Sequence, residues 1–231
     1  MKKMIYILMI ALSSTAYAHS DDDPLLTMVK IDQLEKRDAK DGDPLVWNID
    51  AWIGKDLNKF WIKTEGERVH GEVEEAEVQL LYSRAIAPYW DLQTGWRRDI
   101  KPKPNRDWFA IGFNGVAPYF FEVDSSLFIG ESGQVGFRLD AEYDILFTQK
   151  LILSPEIELN LHTKNDEEVG IGSGLSDMDL GLRLRYEIVR EFAPYIGVNW
   201  SKKFGRTADF VRDEGGDPDD VQLVVGIRAW F

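Results

Sequence analysis

The last eleven residues of the chain alternate. Val221, Leu223, Val225, Ile227, Ala229 and Phe231 are apolar, while Gln222, Gly226, Arg228 and Trp230 stand among the residues between them. Period two predicts a strand with one apolar face and one mixed face. In water, an apolar strand face carried to the final residue invites edge-to-edge association. In a membrane barrel that face meets lipid and the edge is paired. The same alternation is clearest in a pair of earlier segments. Val135, Phe137, Leu139, Ala141, Tyr143, Ile145 and Phe147 alternate with Gly136, Arg138, Asp140, Glu142 and Asp144. Leu151, Leu153, Ile157, Leu159 and Leu161 then alternate with Glu156, Glu158, Asn160 and His162.

Twelve such segments separated by turn residues run along the chain, at 26–37, 45–54, 60–67, 73–86, 89–99, 107–116, 119–130, 135–147, 151–162, 177–189, 193–204 and 221–231. Spacing of this kind predicts an all-β fold rather than βαβ units. The expectation is a transmembrane antiparallel β-barrel of about twelve strands. Four connections are short (85–89, 116–119, 147–150 and 190–194), whereas polar stretches at 101–106, 163–176 and 205–219 read as outer loops. Short turns face the periplasm and long loops the exterior in such barrels. Both chain ends then fall on the periplasmic side only if 26–37, the least regular segment, is also a strand. Trp47, Trp52, Phe60, Trp61, Trp90, Trp108, Tyr119, Tyr195 and Phe231, near strand ends, are expected to form interfacial aromatic girdles.

The start of the chain fits that destination. Lys2 and Lys3, the apolar run Met4 to Leu12 and the small-residue site Ala16-Tyr17-Ala18 predict a signal peptide over 1–18. Residues 19–25 read as a short acidic periplasmic leader and 26–231 as the barrel. Loss of the two lysines leaves 25 basic against 40 acidic residues, a net charge of −15. So acidic a chain offers no clustered cations for phosphate, which argues against a nucleic-acid partner. With no cysteine there is neither a disulfide framework nor a thiolate metal site. The composition, 44% hydrophobic and 29% charged, looks soluble on average, but inward and outward positions of a barrel cancel in such averages.

Charge patterning separates a membrane barrel from a soluble one. A solvated polar face needs no matching of signs, yet Arg138 lies beside Asp140, and Arg183 and Arg185 beside Glu187. Such pairing is expected in a lumen where buried charges need partners. The candidate lumen carboxylates are Glu65, Glu67, Glu75, Glu77, Asp91, Glu122, Asp124, Asp140, Glu142, Asp144, Glu156 and Glu158. Set against Arg97, Arg138, Arg183, Arg185 and Arg228, they read first as a charge network that fills the barrel, second as a cation path.

Motifs for catalysis are weak. Gly170-Ile-Gly-Ser-Gly174 lacks the following helix that a phosphate loop needs and reads as a hinge in an outer loop. Ser173 and Ser176 lie near His162, as a hydrolase would require, but no nucleophile elbow accompanies them. No enzyme is expected.

A resemblance to a known family rests on longer runs. Asn58-Lys-Phe-Trp-Ile-Lys-Thr-Glu-Gly-Glu67, Gln79-Leu-Leu-Tyr-Ser-Arg-Ala-Ile-Ala-Pro88 and Ala117-Pro-Tyr-Phe-Phe-Glu-Val-Asp124 carry it. So do Asp140-Ala-Glu-Tyr-Asp144, Glu158-Leu-Asn-Leu161, Gly170 to Asp177, Leu180 to Ile188 and Arg190 to Trp200. From about residue 25 to its end the chain resembles the copper resistance protein B family of bacterial outer membranes. The resemblance implies an outer-membrane protein of copper resistance and homeostasis that binds copper or moves it between periplasm and exterior. It also implies outer-membrane lipid, copper ions and periplasmic copper-handling proteins as partners. Members often carry a segment rich in Met and His before the barrel; here only His19 to Pro24 precede it.

Copper calls for thioether, thiolate or imidazole ligands. Beyond residue 18 the chain offers Met28, Met178, His19, His70 and His162. Met178 shares the register of Leu180 and Leu182 and is expected to face lipid. His162 is expected at the outer mouth of the lumen, with Asp177 and Asp179 opening the next strand at its level. Cleavage after Ala18 would make His19 the first residue, and its α-amino group and imidazole together could chelate Cu(II). The expected metal ligands are therefore His19, His162, Asp177 and Asp179.

Overall fold

A computed structural model of the chain describes residues 23–40 and 42–231. The signal-peptide segment and His19 lie outside them. The strands are β1 (Leu26–Asp38), β2 (Leu45–Lys55), β3 (Asn58–Val69), β4 (Glu72–Ala87), β5 (Trp90–Lys101), β6 (Arg106–Ala117) and β7 (Phe121–Gly130). They continue as β8 (Val135–Glu142), β9 (Ile145–Leu146), β10 (Leu151–His162), β11 (Gly174–Tyr186), β12 (Phe192–Lys203) and β13 (Asp219–Trp230). β8 and β9 both pair with β10 and form one strand interrupted at 143–144. The barrel therefore has twelve strands. Each pairs antiparallel with its neighbour, and β1 closes the ring against β13, from Lys30 opposite Trp230 to Asp38 opposite Leu223.

Closure leaves no open edge, so every strand finds its backbone partners inside the ring. Outward positions are apolar and exposed: Ile62 at 53%, Leu182 at 46% and Val225 at 63%. In water that surface would be a severe liability; against acyl chains it is the expected one.

The segment 26–37, least regular in sequence, is β1. An irregularity between Ile31 and Leu34 explains its broken alternation. One additional residue shifts the inward set from Lys30 and Asp32 to Gln33, Glu35 and Arg37, and such a bulge is a local feature of a strand rather than its end. With β1 in place, both described ends of the chain lie on the side of the short turns 56–57, 88–89, 118–120 and 187–191. By the rule for these barrels that side is the periplasmic one.

Two elements differ from expectation. The strand expected from residue 119 begins at Phe121, because Pro118–Phe120 form a single 3₁₀ turn with Tyr119 at φ 68°. Proline brings no N–H to a ladder and fixes its own φ, so the turn starts there. The outer loop 205–219 contains a helix, α1 (Gly205–Asp213). Nine residues are too few for a helix that stands alone. Contacts hold it instead: Thr207 and Ala208 are buried, and the Gly172 N–H donates to Thr207 Oγ1 at 2.8 Å.

Candidate functional site

The inward positions of the strands build three charged clusters inside the bore. In the first, Arg138 on β8 reaches Glu65 on β3 and Glu77 on β4, strands far from its own in the ring. Arg97 adds a 2.6 Å contact to Glu77 and a 2.7 Å contact to Asp99, whose other oxygen accepts from Trp108 Nε1 at 2.7 Å. Beside these charges, Leu81, Trp108, Ala110 and Phe128 pack as a small apolar core with Trp61 against it. The Arg97 guanidinium lies 4.4 Å from the Phe128 ring centroid, a cation–π contact.

The second cluster centres on Glu35, whose side chain has no exposed surface. It accepts from Arg183 twice at 2.9 Å, from Arg37 at 2.8 Å and from Tyr195 Oη at 2.8 Å. Arg183 also reaches Glu156 at 2.6 Å, and Glu156 accepts from Gln33. A buried carboxylate is tolerated only with such saturation of its lone pairs. In the third cluster Arg228 bridges Asp32 at 2.9 Å and Glu142 at 2.6 Å, while Arg185 holds Glu142 and Asp144.

Between the clusters lies a polar cavity of about 220 Å³. Nine carboxylates line it against three cations, Lys30, Lys63 and Arg138. Lys63 is paired to Asp124 at 2.6 Å. Asp50, Glu122 and Asp140 also line the cavity, and among the described residues none of the three carboxylates has a side-chain hydrogen bond or ion pair. No bonded cation offsets their negative charge.

His162 sits at the outer end of β10, on the inward face, with its ring centroid 6.4 Å from that of Trp108. Its Nδ1 lies 2.8 Å from Ser176 Oγ, and that hydroxyl donates to the Gly172 carbonyl at 2.9 Å. A carbonyl only accepts, so the serine proton is committed and His162 Nδ1 must be the donor to Ser176. In the neutral ring Nε2 is then the lone-pair nitrogen, and no described residue bonds to it. Ser176 is fully buried and its proton is engaged, so it serves the loop and is no nucleophile.

Asp177 and Asp179 are on β11 but stand opposite Asn160 and Glu158, while His162 is opposite Gly174. A register shift after Asn160 separates the levels. Asp177 accepts from Asn160 at 2.9 Å and Asp179 from Asn199 at 2.9 Å. Among the described residues no three His, Asp or Glu side chains converge closely enough to hold a metal ion between them. His162 thus offers one nitrogen, backed by an acidic lumen rather than by two fixed carboxylates.

Sequence reasoning placed most of the network carboxylates and all five arginines inside. It missed Asp32, Glu35 and Lys63, and put Asp50 on the polar face of its strand without counting it among the lumen carboxylates. It also misplaced Trp52, Trp61, Trp108 and Tyr195, which were expected in the girdles. Trp108 and Tyr195 are each 4% exposed and point inward, and Trp52 and Trp61 stack inside at 6.1 Å. Cross-strand bonding gave the missing signal for Tyr195: Gly226, its partner in register, leaves the space that the ring fills.

The family model described as Copper resistance protein B precursor (CopB) matches residues 25–231. The chain is 45% identical over 210 residues to copper resistance protein B of Escherichia coli, covering 91% of this chain and 71% of that protein. It is 48% identical over 200 residues to the copper resistance protein B homolog of Pseudomonas syringae pv. tomato, covering 87% and 68%. Among solved structures it is similar to the NanC porin, with a TM-score of 0.58 at 12% identity, covering 88% of this chain and 99% of that one. The KdgM porin gives 0.52 at 10% identity, covering 89% and 99%. Those two likenesses bear on the fold alone. A closed barrel with an apolar outer belt, matched by one family along nearly its whole described length, has one placement: the chain belongs to the copper resistance protein B family and resides in the outer membrane.

Proposed function

We propose that the barrel handles copper ions through its acidic lumen, entered from the exterior past His162. The observation that carries the reading is the surplus of carboxylates around the cavity, with Asp50, Glu122 and Asp140 left without a bonded cation. An uncompensated negative interior raises the local concentration of cations. His162 Nε2 adds a nitrogen donor, and nitrogen and oxygen donors favour Cu(II) over the neighbouring divalent metals. His19, at the expected start of the mature chain, is the second proposed donor, acting on the periplasmic side.

The bore opposes the reading as a general diffusion pore. Arg138 crosses it to Glu65 and Glu77, and Trp61, Leu81, Trp108 and Phe128 occupy part of its section. Copper would be held or relayed at charged positions in such a bore rather than diffuse freely. Nothing in this reading assigns a chemical reaction to the barrel. The test is copper tolerance and cell-associated copper in strains with and without the protein, with zinc as control. Loss of the protein should alter copper handling and leave zinc unchanged. Equal effects on both metals would favour a pore without metal specificity.

A further inference from the structure

Outside the lumen, one arrangement occurs twice. On β5 and β6, Trp96 and Arg98 face outward beside Asp107: Trp96 Nε1 donates to Asp107 Oδ1 at 3.0 Å, and Arg98 lies 3.7 Å from the same oxygen. On β12 and β13, Trp200 and Lys202 stand beside Asp219: Trp200 Nε1 donates to Asp219 Oδ1 at 2.7 Å, and Lys202 Nζ to Oδ2 at 2.7 Å. The registers correspond, since Arg98 pairs with Asp107 across the strands and Lys202 with Asp219. In each case a tryptophan, a cation two residues later on the same strand and an aspartate on the next strand share the outer face. Both lie at the end of the barrel away from the short turns.

Their positions in the ring also correspond. Strands β7, β8, β10 and β11 separate the two clusters on one side and β1 to β4 on the other. The clusters are therefore diametrically opposed. Each stands above a column of exposed apolar side chains: Phe109, Ile111 and Phe113 below the first, and Val221, Leu223 and Val225 below the second. That column is the belt that meets acyl chains, so each cluster lies where chains give way to head groups. Indole rings favour that level, and a cation there is held close to lipid phosphate. The cations are accessible, with side chains 41% exposed for Arg98 and 36% for Lys202. An exposed ion pair contributes little in water, so the aspartates hold these cations weakly enough for a phosphate to replace them.

We propose that the two clusters are docking sites for lipopolysaccharide, the phosphorylated glycolipid of the outer leaflet. Its acyl chains lie on the apolar columns, its sugar edge rests against Trp96 and Trp200, and its phosphates take Arg98 and Lys202 from Asp107 and Asp219. The inference is independent of copper handling.

The test uses the full mature barrel folded in detergent and titrated with lipid A, read by native mass spectrometry and by the thermal shift of the folded band. The wild type should bind two lipid A molecules and be stabilised by them. Arg98→Gln with Lys202→Gln should weaken binding by about fivefold for each cation removed. Asp107→Asn and Asp219→Asn should strengthen it, because the amide oxygen still accepts from the indole but no longer competes for the cation. Dephosphorylated lipid A should protect neither protein, and inorganic phosphate alone should not stabilise the wild type. Equal binding by wild type and the double glutamine variant would overturn the proposal. Equal protection by dephosphorylated lipid A, or by free phosphate, would do the same. So would weaker binding by the asparagine variants that chelators reproduce in the wild type, since that would mean a bridging divalent cation.

Discussion

Glu35 and Arg183 face each other from β1 and β11, strands that are not neighbours, and are joined by two hydrogen bonds of 2.9 Å. Glu35 is wholly buried and the Arg183 side chain is 8% exposed. The two-point geometry ties the closing seam of the barrel to the strand three places away. Removing one partner of such a pair leaves an unbalanced buried charge, a loss of about 3–5 kcal/mol. Glu35→Gln should therefore lower the urea midpoint of the folded barrel strongly. A double-mutant cycle with Arg183→Met should return a coupling of roughly 1 kcal/mol or more. Additive single effects would show that the contact is not formed.

The lipid face gives a second prediction one residue away. Leu182 is exposed to the belt and Arg183 points inward. Leu182→Arg should cost about 2–4 kcal/mol if near the bilayer midplane, measured by folding into lipid vesicles. Arg183→Leu should still insert and instead disturb the lumen, freeing Glu35 and Glu156. If the two variants behave in the opposite sense, the strand is out by one residue, because a single step exchanges faces.

Gly226 supplies a packing test. A methyl group there would stand 2.6 Å from the Tyr195 ring and 2.7 Å from Glu35 Cβ. Neither group can withdraw without breaking the Tyr195–Glu35 hydrogen bond of 2.8 Å. Gly226→Ala should destabilise by about 1–3 kcal/mol through overpacking, and Gly226→Ala with Tyr195→Phe should not recover it, since the ring remains.

These positions also show what could be read in advance. The barrel was legible because period-two alternation is a direct image of two solvents, lipid outside and a charged lumen inside. Parity of strands made β1 necessary even though its own pattern was poor. Glu35 was not legible, because the bulge after Ile31 moves it from one face to the other. Trp108 and Tyr195 were assigned to the girdles since aromatic residues near strand ends usually lie there. Strand alternation turns them inward, opposite the exposed Phe109 and Ile196. Hydrogen bonds to Asp99, nine residues from Trp108, and to Glu35, 160 residues from Tyr195, hold them there. The pairing of His162 with Ser176 depends on the course of the loop 163–173, which local sequence does not fix.

That loop has a pH dependence of known sign. Arg106 donates to Asp166 at 2.8 and 3.0 Å and holds its carboxyl below the usual carboxylate range. A group whose folded pKa is depressed stabilises above its unfolded value, near 3.9, and ceases to do so as pH falls through the lower folded value. Amide protection of residues 163–173, taken relative to the intrinsic exchange rate at each pH, should therefore hold from neutral pH down to about 4 and fall below it. Asp166→Asn should quicken exchange at neutral pH and add little in acid. An acid-insensitive loop would contradict the pairing.

The central claim, that the acidic lumen attracts copper, is tested most directly by Cu(II) titration of the purified mature barrel with zinc as competitor. The wild type should bind copper in preference to zinc. Asp50→Asn with Asp140→Asn removes two of the unpaired cavity carboxylates without breaking an ion pair, and should weaken binding roughly tenfold or more. His162→Ala should weaken the outer component and His19→Ala the periplasmic one, the latter failing also as pH drops through the amine and imidazole range. Copper binding unchanged in the double asparagine variant, or abolished by His19→Ala alone, would contradict a role for the lumen.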